Sequence, residues 1–195
     1  MLRTMVLSAL VSLIAALAAT AAEIGDDGLH KQDWFALTFR DVAEDIEAAR
    51  EEGKRLVLVF EQRGCIYCAK MHEELLSDPE VRDFVKANFK VVQYNMFGDE
   101  EVTDLDGEVL TEKTAARKWS YVFTPTLAFM PEELPDGVDA GEAAVATMPG
   151  AFGKWTFLHM FEWVRAKGYE GDEHFQKYHA RRLDELRAAG RLGAE

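Results

Sequence analysis

Between Leu56 and Met71 the chain reads LVLVFEQRGCIYCAKM, in which five consecutive apolar residues, Leu56 to Phe60, run toward Gly64, Cys65, Ile66, Tyr67 and Cys68. An unbroken apolar run between Arg55 and Glu61 is the pattern of a central strand covered on both faces. Cys65 and Cys68 are the only cysteines in 195 residues. Three positions apart at the mouth of a helix, two thiols lie on one face, close enough to close a small disulfide ring and reopen it. Closing so short a loop removes little entropy from the unfolded chain, so the pair makes a poor structural staple. The spacing favours a working pair.

The amino terminus bears on where that chemistry takes place. Arg3 is followed by an apolar run from Met5 to Ala18, and Ala19, Thr20 and Ala21 supply a small-x-small cleavage pattern. This reads as a secretory leader over residues 1–21. The alternative is a membrane anchor, but the run is shorter than the roughly 20 apolar residues that a spanning helix needs. With no cysteine after the run, a lipid-anchored start is not expected. Export would place the thiols in an oxidising compartment. The formal net charge of −13 becomes one unit more negative when Arg3 leaves with the leader. Such a surface argues against nucleic acid or anionic membrane as a partner, because displacing counterions from phosphates takes clustered Lys and Arg.

Apolar residues make up 48% of the chain, enough for one packed domain with extensions. Trp34 to Phe39 is expected to be a short peripheral strand. Val42, Ile46 and Ala49 then mark an amphipathic helix ending near Gly53. A helix is expected from Cys65 through Leu76, and a second from Pro79, capped by Ser77 or Asp78. Phe89 to Tyr94 reads as the next strand, parallel to the first through a right-handed crossover. Met96 to Leu110 is an acidic insertion in which Asp106-Gly107 could close a hairpin. Thr111 caps a short helix through Lys118, and Thr126 to Met130 and Ala143 to Met148 are expected as two antiparallel strands. Pro149 and Gly150 precede an apolar helix over Trp155 to Lys167. From Asp172 to Ala189 a charged helix is expected to dock through Phe175, Tyr178 and Leu183 or Leu186, or to fray. The division is thus a leader over 1–21, a core domain over 22–168 and a helical extension over 169–195.

The order strand, Cys-x-x-Cys at a helix start, helix, strand, helix, Thr124-Pro125-Thr126, strand, strand, helix resembles the thioredoxin fold over roughly Trp34 to Lys167. The resemblance implies a three-layer α/β fold, a central mixed sheet flanked by helices, here with an acidic insertion and an extra C-terminal helix. It implies that Pro125 is cis and lies against the disulfide, and that Gly150 corresponds to the glycine before the last helix. Cys65, at the helix N-terminus, would be the nucleophile, its thiolate favoured by free N–H groups and the helix dipole. Cys68, one turn deeper, would resolve the mixed disulfide. Thr124 and Pro125 would present a backbone edge to an extended substrate and keep metal from the thiols. Ile66 and Tyr67 stand where thioredoxin usually has Gly-Pro, and Gly64 where it has Trp. The buried acid that many members carry six residues before the first cysteine is Val59 here. The nearest acid, Glu61, is either a substitute proton carrier or a strand-end surface acid. Arg63 adds positive charge near Cys65 or is simply solvated.

The leader, the segment GCIYC followed by Lys70, Met71 and His72, the acidic insertion and the charged tail together resemble periplasmic thioredoxin-like proteins of the SoxW type, associated with bacterial sulfur oxidation. This implies a periplasmic, monomeric thiol-disulfide oxidoreductase. It would reduce a disulfide on a partner protein and draw electrons from an upstream donor such as a membrane thiol reductase. It needs no cofactor beyond the Cys65–Cys68 disulfide. Relatives serving cytochrome c maturation or disulfide repair fit as well. A copper(I) chaperone would use Cys65, Cys68 and His72, since soft sulfur ligands suit that ion. Haem attachment does not fit, because Ala69 stands where an axial His would be, and an inert disulfide in an interaction module is a third class. Trp119 could approach the thiols, and His30, His159, His174 and His179 show no ligand spacing.

Overall fold

The computed structural model describes residues 23–192, so the expected leader lies outside the described residues. The first regular element is α1 (Val42–Glu51), where Asp41 accepts from the Glu44 N–H at 3.1 Å and caps the first turn. Next come β1 (Arg55–Glu61), α2 (Ile66–Lys70), continued by a π turn over Met71–Leu75, α3 (Pro79–Asn88) and β2 (Phe89–Asn95). A hairpin of β3 (Glu101–Thr103) and β4 (Val109–Thr111) precedes α4 (Glu112–Lys118). Then follow β5 (Thr126–Phe129), a short α5 (Ala140–Ala143), β6 (Ala146–Pro149), α6 (Lys154–Arg165) and α7 (Phe175–Ala188).

The sheet order is β2-β1-β5-β6, with β1 and β2 parallel and the other pairs antiparallel. All seven residues of β1 are buried, as the continuous apolar run demands of a strand covered on both sides. Alternation then divides the core. Val57 and Val59 face a layer built by Met71, Leu75, Val81, Val85, Phe157 and Phe161, whereas Leu56, Leu58 and Phe60 face Val42, Ile46, Ala115 and Trp119. Each large apolar side chain so enclosed contributes roughly 1.5–3 kcal/mol relative to exposure. Glu61 continues the Val57 and Val59 parity, which aims its carboxyl into the α2 layer.

Local signals explain the boundaries. Asp78 accepts from the N–H groups of Glu80 and Val81, at 3.0 and 3.3 Å, ahead of Pro79. Thr111 and Thr114 form a reciprocal cap on α4. The acidic insertion closes as the expected hairpin around Asp106-Gly107, and it reaches the core, because buried Asp104 accepts from Trp119 Nε1 at 2.9 Å and from the Ala140 N–H at 2.9 Å. Trp119 therefore packs across the sheet from the α2 layer, with Phe60 and Tyr94, and does not approach the thiols.

Two expectations need correction. Trp34 to Phe39 is not a strand: the Ala36 N–H bonds to the Val91 carbonyl at 2.8 Å, but no ladder follows, and Leu37 and Phe39 stand wholly exposed. The last strand begins at Ala146, later than Ala143, because Ala140–Ala143 is drawn into a helical turn capped by Asp139. The charged C-terminal helix does not fray. It docks on α6 through buried Leu186, with Phe175 against Trp163 and Tyr178 against His159.

Candidate active site

β1 delivers the chain to the sheet's edge, and Gly64 turns it into α2 with φ of +72°, a left-handed conformation that L side chains rarely adopt. Cys65 is the N-cap of α2, and the Cys68 N–H donates to its sulfur at 3.0 Å. The two cysteines are joined as a disulfide with Cα atoms 5.2 Å apart. Cys65 retains 7% exposure and Cys68 none, so a partner can reach only the first sulfur. A backbone N–H and the start of a helix stabilise negative charge at that sulfur.

The opposite wall is the Thr124-Pro125 turn, whose peptide bond is cis, as the resemblance implied. Thr124 Oγ1 donates to the Cys65 sulfur at 3.4 Å, and the Thr124 carbonyl lies 3.5 Å from the same atom. Thr126 Oγ1 donates to the Phe123 carbonyl at 2.7 Å, and the Gly150 N–H to the Pro125 carbonyl at 2.6 Å, so the turn is tied at both ends. Gly150 holds φ of +105°, again a glycine conformation. Ile66 and Tyr67 project between the cysteines, 73% and 58% exposed, and Val122 and Phe123 are exposed on the segment leading to Pro125. Exposed large apolar side chains thus flank the accessible sulfur on both sides.

Where the end of β1 meets the π turn after α2 is a buried polar cluster that the sequence did not announce. Glu61 is fully buried, which overturns its reading as a surface acid. Its Oε1 is 2.9 Å from His72 Nε2 and accepts from Gln93 Nε2 at 2.9 Å, while Oε2 is buried without a partner. His72 Nδ1 is 3.1 Å from Gln32 Nε2, and Gln32 Oε1 accepts from Trp34 Nε1 at 3.1 Å. Lys31 Nζ donates to Gln93 Oε1 at 2.8 Å, and Gln93 Nε2 also donates to the His30 carbonyl at 2.7 Å. Both ring nitrogens of His72 are thus occupied by protein groups, and neither is free to join the two sulfurs around copper. Among the described residues no three His, Cys, Asp or Glu are grouped to hold a metal ion. Arg63 is exposed, and its Nη2 donates to the Asp26 carbonyl at 3.4 Å.

A disulfide spanning Cys-x-x-Cys at the first turn of a helix, faced by a cis-proline turn on a mixed four-stranded sheet, defines a thioredoxin-fold protein. Residues 42–161, more than half of the chain, match the thioredoxin-like domain family, and the chain belongs to it. A thioredoxin-fold protein from Helicobacter pylori superposes with a TM-score of 0.53 at 19% identity, over 72% of this chain and 87% of that one. A thioredoxin from Thermus thermophilus gives 0.49 at 25% identity, over 66% and 86%. The periplasmic thioredoxin SoxS from Paracoccus pantotrophus gives 0.38 at 23% identity, over 59% and 99%. No curated protein matches the chain. Among the described residues no helix is long and apolar enough to cross a membrane.

Proposed function

We propose that the protein is an exported thiol-disulfide oxidoreductase that reduces a disulfide, or a mixed disulfide, on a partner protein. The observation that carries this reading is the Cys65–Cys68 disulfide, with one sulfur accessible and one enclosed, facing cis Pro125. In the reduced state the Cys65 thiolate attacks a partner disulfide and displaces one partner sulfur. Cys68 then attacks the Cys65 sulfur of the mixed disulfide and releases the second. Ile66, Tyr67, Val122 and Phe123 give an apolar seat for the partner chain, and Thr124 and Pro125 form its rim. The leader expected over residues 1–21 supports a periplasmic location, and the segment GCIYC with Met71 and His72 supports a role beside sulfur oxidation, with electrons from a membrane thiol reductase.

Reduction of insulin by the full chain with a dithiol donor tests the reading. Turnover is expected in the wild type and its loss in Cys65→Ser; a wild type with no activity against insulin or any other protein disulfide would contradict it.

A further inference from the structure

β2 is an edge strand of the four-stranded sheet, with β1 on one side only. Its backbone groups alternate in direction. Met96 gives its N–H to the Glu61 carbonyl at 2.8 Å, so Val92, Tyr94 and Met96 turn theirs toward β1, whereas Val91, Gln93 and Asn95 turn theirs outward. The two ends of that outward row are satisfied. The Ala36 N–H reaches the Val91 carbonyl at 2.8 Å, and Glu112 Oε1 accepts from the Asn95 N–H at 2.9 Å. Between them, among the described residues, nothing bonds the backbone N–H or carbonyl of Gln93. Its side chain is no substitute, being engaged with Glu61, His30 and Lys31.

A cavity of about 320 Å³ stands over that gap. Val92 and Gln93 line one side, Phe35, Ala36 and Thr38 the other, and Glu112 lines it too. The residues that bond β2 on either side of Gln93, Ala36 and Glu112, thus also bound the cavity, and the open backbone of Gln93 lies between them. Residues 36–40 bow away from β2 because their polar groups are engaged elsewhere. Thr38 Oγ1 donates to Asp45 at 3.0 Å, and the Arg40 carbonyl accepts from the Thr103 N–H at 3.0 Å. The bow leaves Leu37 and Phe39 wholly exposed. A bare stretch of strand edge beside exposed apolar side chains is a template for one more strand.

We propose that this gap is a docking site for an extended segment of a partner polypeptide, which adds to β2 through the N–H and carbonyl of Gln93 and sets an apolar side chain against Leu37. The segment carries a basic residue. Among the charged groups lining the cavity, Lys31 pairs with Asp27, and Arg40 pairs with Glu112 at 3.2 Å. Asp33 is exposed and has no ion pair among the described residues, so it is the charge left for an incoming cation. The formal net charge of −13 draws such a segment in and repels a second copy of this chain. Leu37 and Phe39 also offer far less than the roughly 800 Å² per partner that a stable dimer buries. Gln93 pairs with Val59 within β1, so the site is distinct from the disulfide that follows that strand. Binding there does not rest on the oxidoreductase reading.

The test uses the oxidised, isotope-labelled full chain and a short blocked peptide of alternating valine and threonine with one central lysine, followed by amide exchange in NMR. In the free protein the Gln93 N–H is expected to exchange at least about 100-fold faster than that of Tyr94, which faces β1. The peptide is expected to slow Gln93 and leave Tyr94 unchanged. A peptide with proline in place of one central threonine lacks an N–H for the Gln93 carbonyl and is expected to bind about tenfold more weakly. Glutamate in place of lysine is expected to cost about threefold, and Asp33→Lys to reverse that order. Leu37→Ser is expected to weaken binding about fivefold. Both variants change exposed positions, so the fold is not at stake. A Gln93 amide as slow as Tyr94 in the free protein, no slowing with the peptide, or an unreversed charge preference in Asp33→Lys would overturn the proposal. Protection of Gln93 that grows with protein concentration alone would assign the edge to a second copy and overturn it as well.

Discussion

His72 Nε2 lies 2.9 Å from Glu61 Oε1, with both side chains closed to water, and the contact ties the π turn after α2 to the end of β1. A pair this deep is costly to break from one side, because the carboxylate that remains is desolvated and loses a partner. His72→Ala is expected to lower unfolding free energy by about 3 kcal/mol, measured by denaturant titration. The double replacement Glu61→Leu with His72→Leu is expected to recover most of that loss. Strictly additive effects in the double-mutant cycle would mean that the two side chains are not coupled.

Asp45 supplies a pH test away from the disulfide. Burial pushes its carboxyl up to about 6 from the usual 3.8, opposed by a hydrogen bond from Thr38 at 3.0 Å. The folded state thus holds the proton more tightly than the unfolded state, so this group's contribution is fully present below 3.8 and is lost as pH rises through about 6. Asp45→Asn keeps the Thr38 partner and removes that loss. It is expected to stabilise the protein by on the order of 2 kcal/mol at neutral to alkaline pH and to have little effect below the unfolded value. Stabilisation of equal size at both ends of the range would contradict this cause.

The α6–α7 contact should respond in the opposite sense. His159 Nδ1 and His179 Nδ1 are 2.7 Å apart, and Thr156 Oγ1 reaches His179 Nε2 at 3.3 Å. Burial, and then the neighbouring His179 and Arg182, hold His159 down to about 4 from 6.5, against the weaker pull of Glu185 and Glu80. The folded state resists the proton, so stability is present above 6.5 and falls away as pH drops toward about 4. Hydrogen exchange of α7 amides is expected to quicken relative to amides of β5, which carries no titratable side chain, between about pH 7 and pH 5. His159→Phe is expected to abolish that difference. Equal response of both elements in the wild type would contradict it.

Ile66, Tyr67 and Phe123 bear on recognition because they stand exposed beside the accessible sulfur. Replacing all three by Ser is expected to raise KM for insulin about tenfold. Stability should change by less than about 0.5 kcal/mol per site, since exposed positions carry little packing. An unchanged KM would place partner contact elsewhere.

Much of the frame was legible in the residues. The Leu56–Phe60 run had the pattern of a two-sided strand, Asp78-Pro79 and Thr111 marked helix starts through their caps, and Asp106-Gly107 offered the hairpin turn. The cis Thr124-Pro125 turn followed from resemblance alone. The buried dyad was harder to see, because an unbroken apolar run hides strand parity. Only counting from Val57 through Val59 puts Glu61 on the α2 side, and only His72, four residues after Cys68, hints at its partner. Trp34 to Phe39 misled because its residues favour strands, whereas the segment meets β2 through the Ala36 N–H on the Val91 carbonyl, turns Trp34 Nε1 to Gln32 and Thr38 Oγ1 to Asp45, and forms no ladder. Gln32 gave no signal, since its role exists only once residues 11 and 40 positions apart in the chain meet.

The most direct measurement of the central claim is capture of a covalent intermediate with Cys68→Ala, which leaves Cys65 to attack but removes the sulfur that resolves. Exposed to a protein disulfide and analysed by non-reducing mass spectrometry, this variant is expected to accumulate a one-to-one adduct through Cys65, cleaved by reductant and absent from Cys65→Ser. No adduct with any protein disulfide, from a variant that is folded and alkylated at Cys65, would contradict the account.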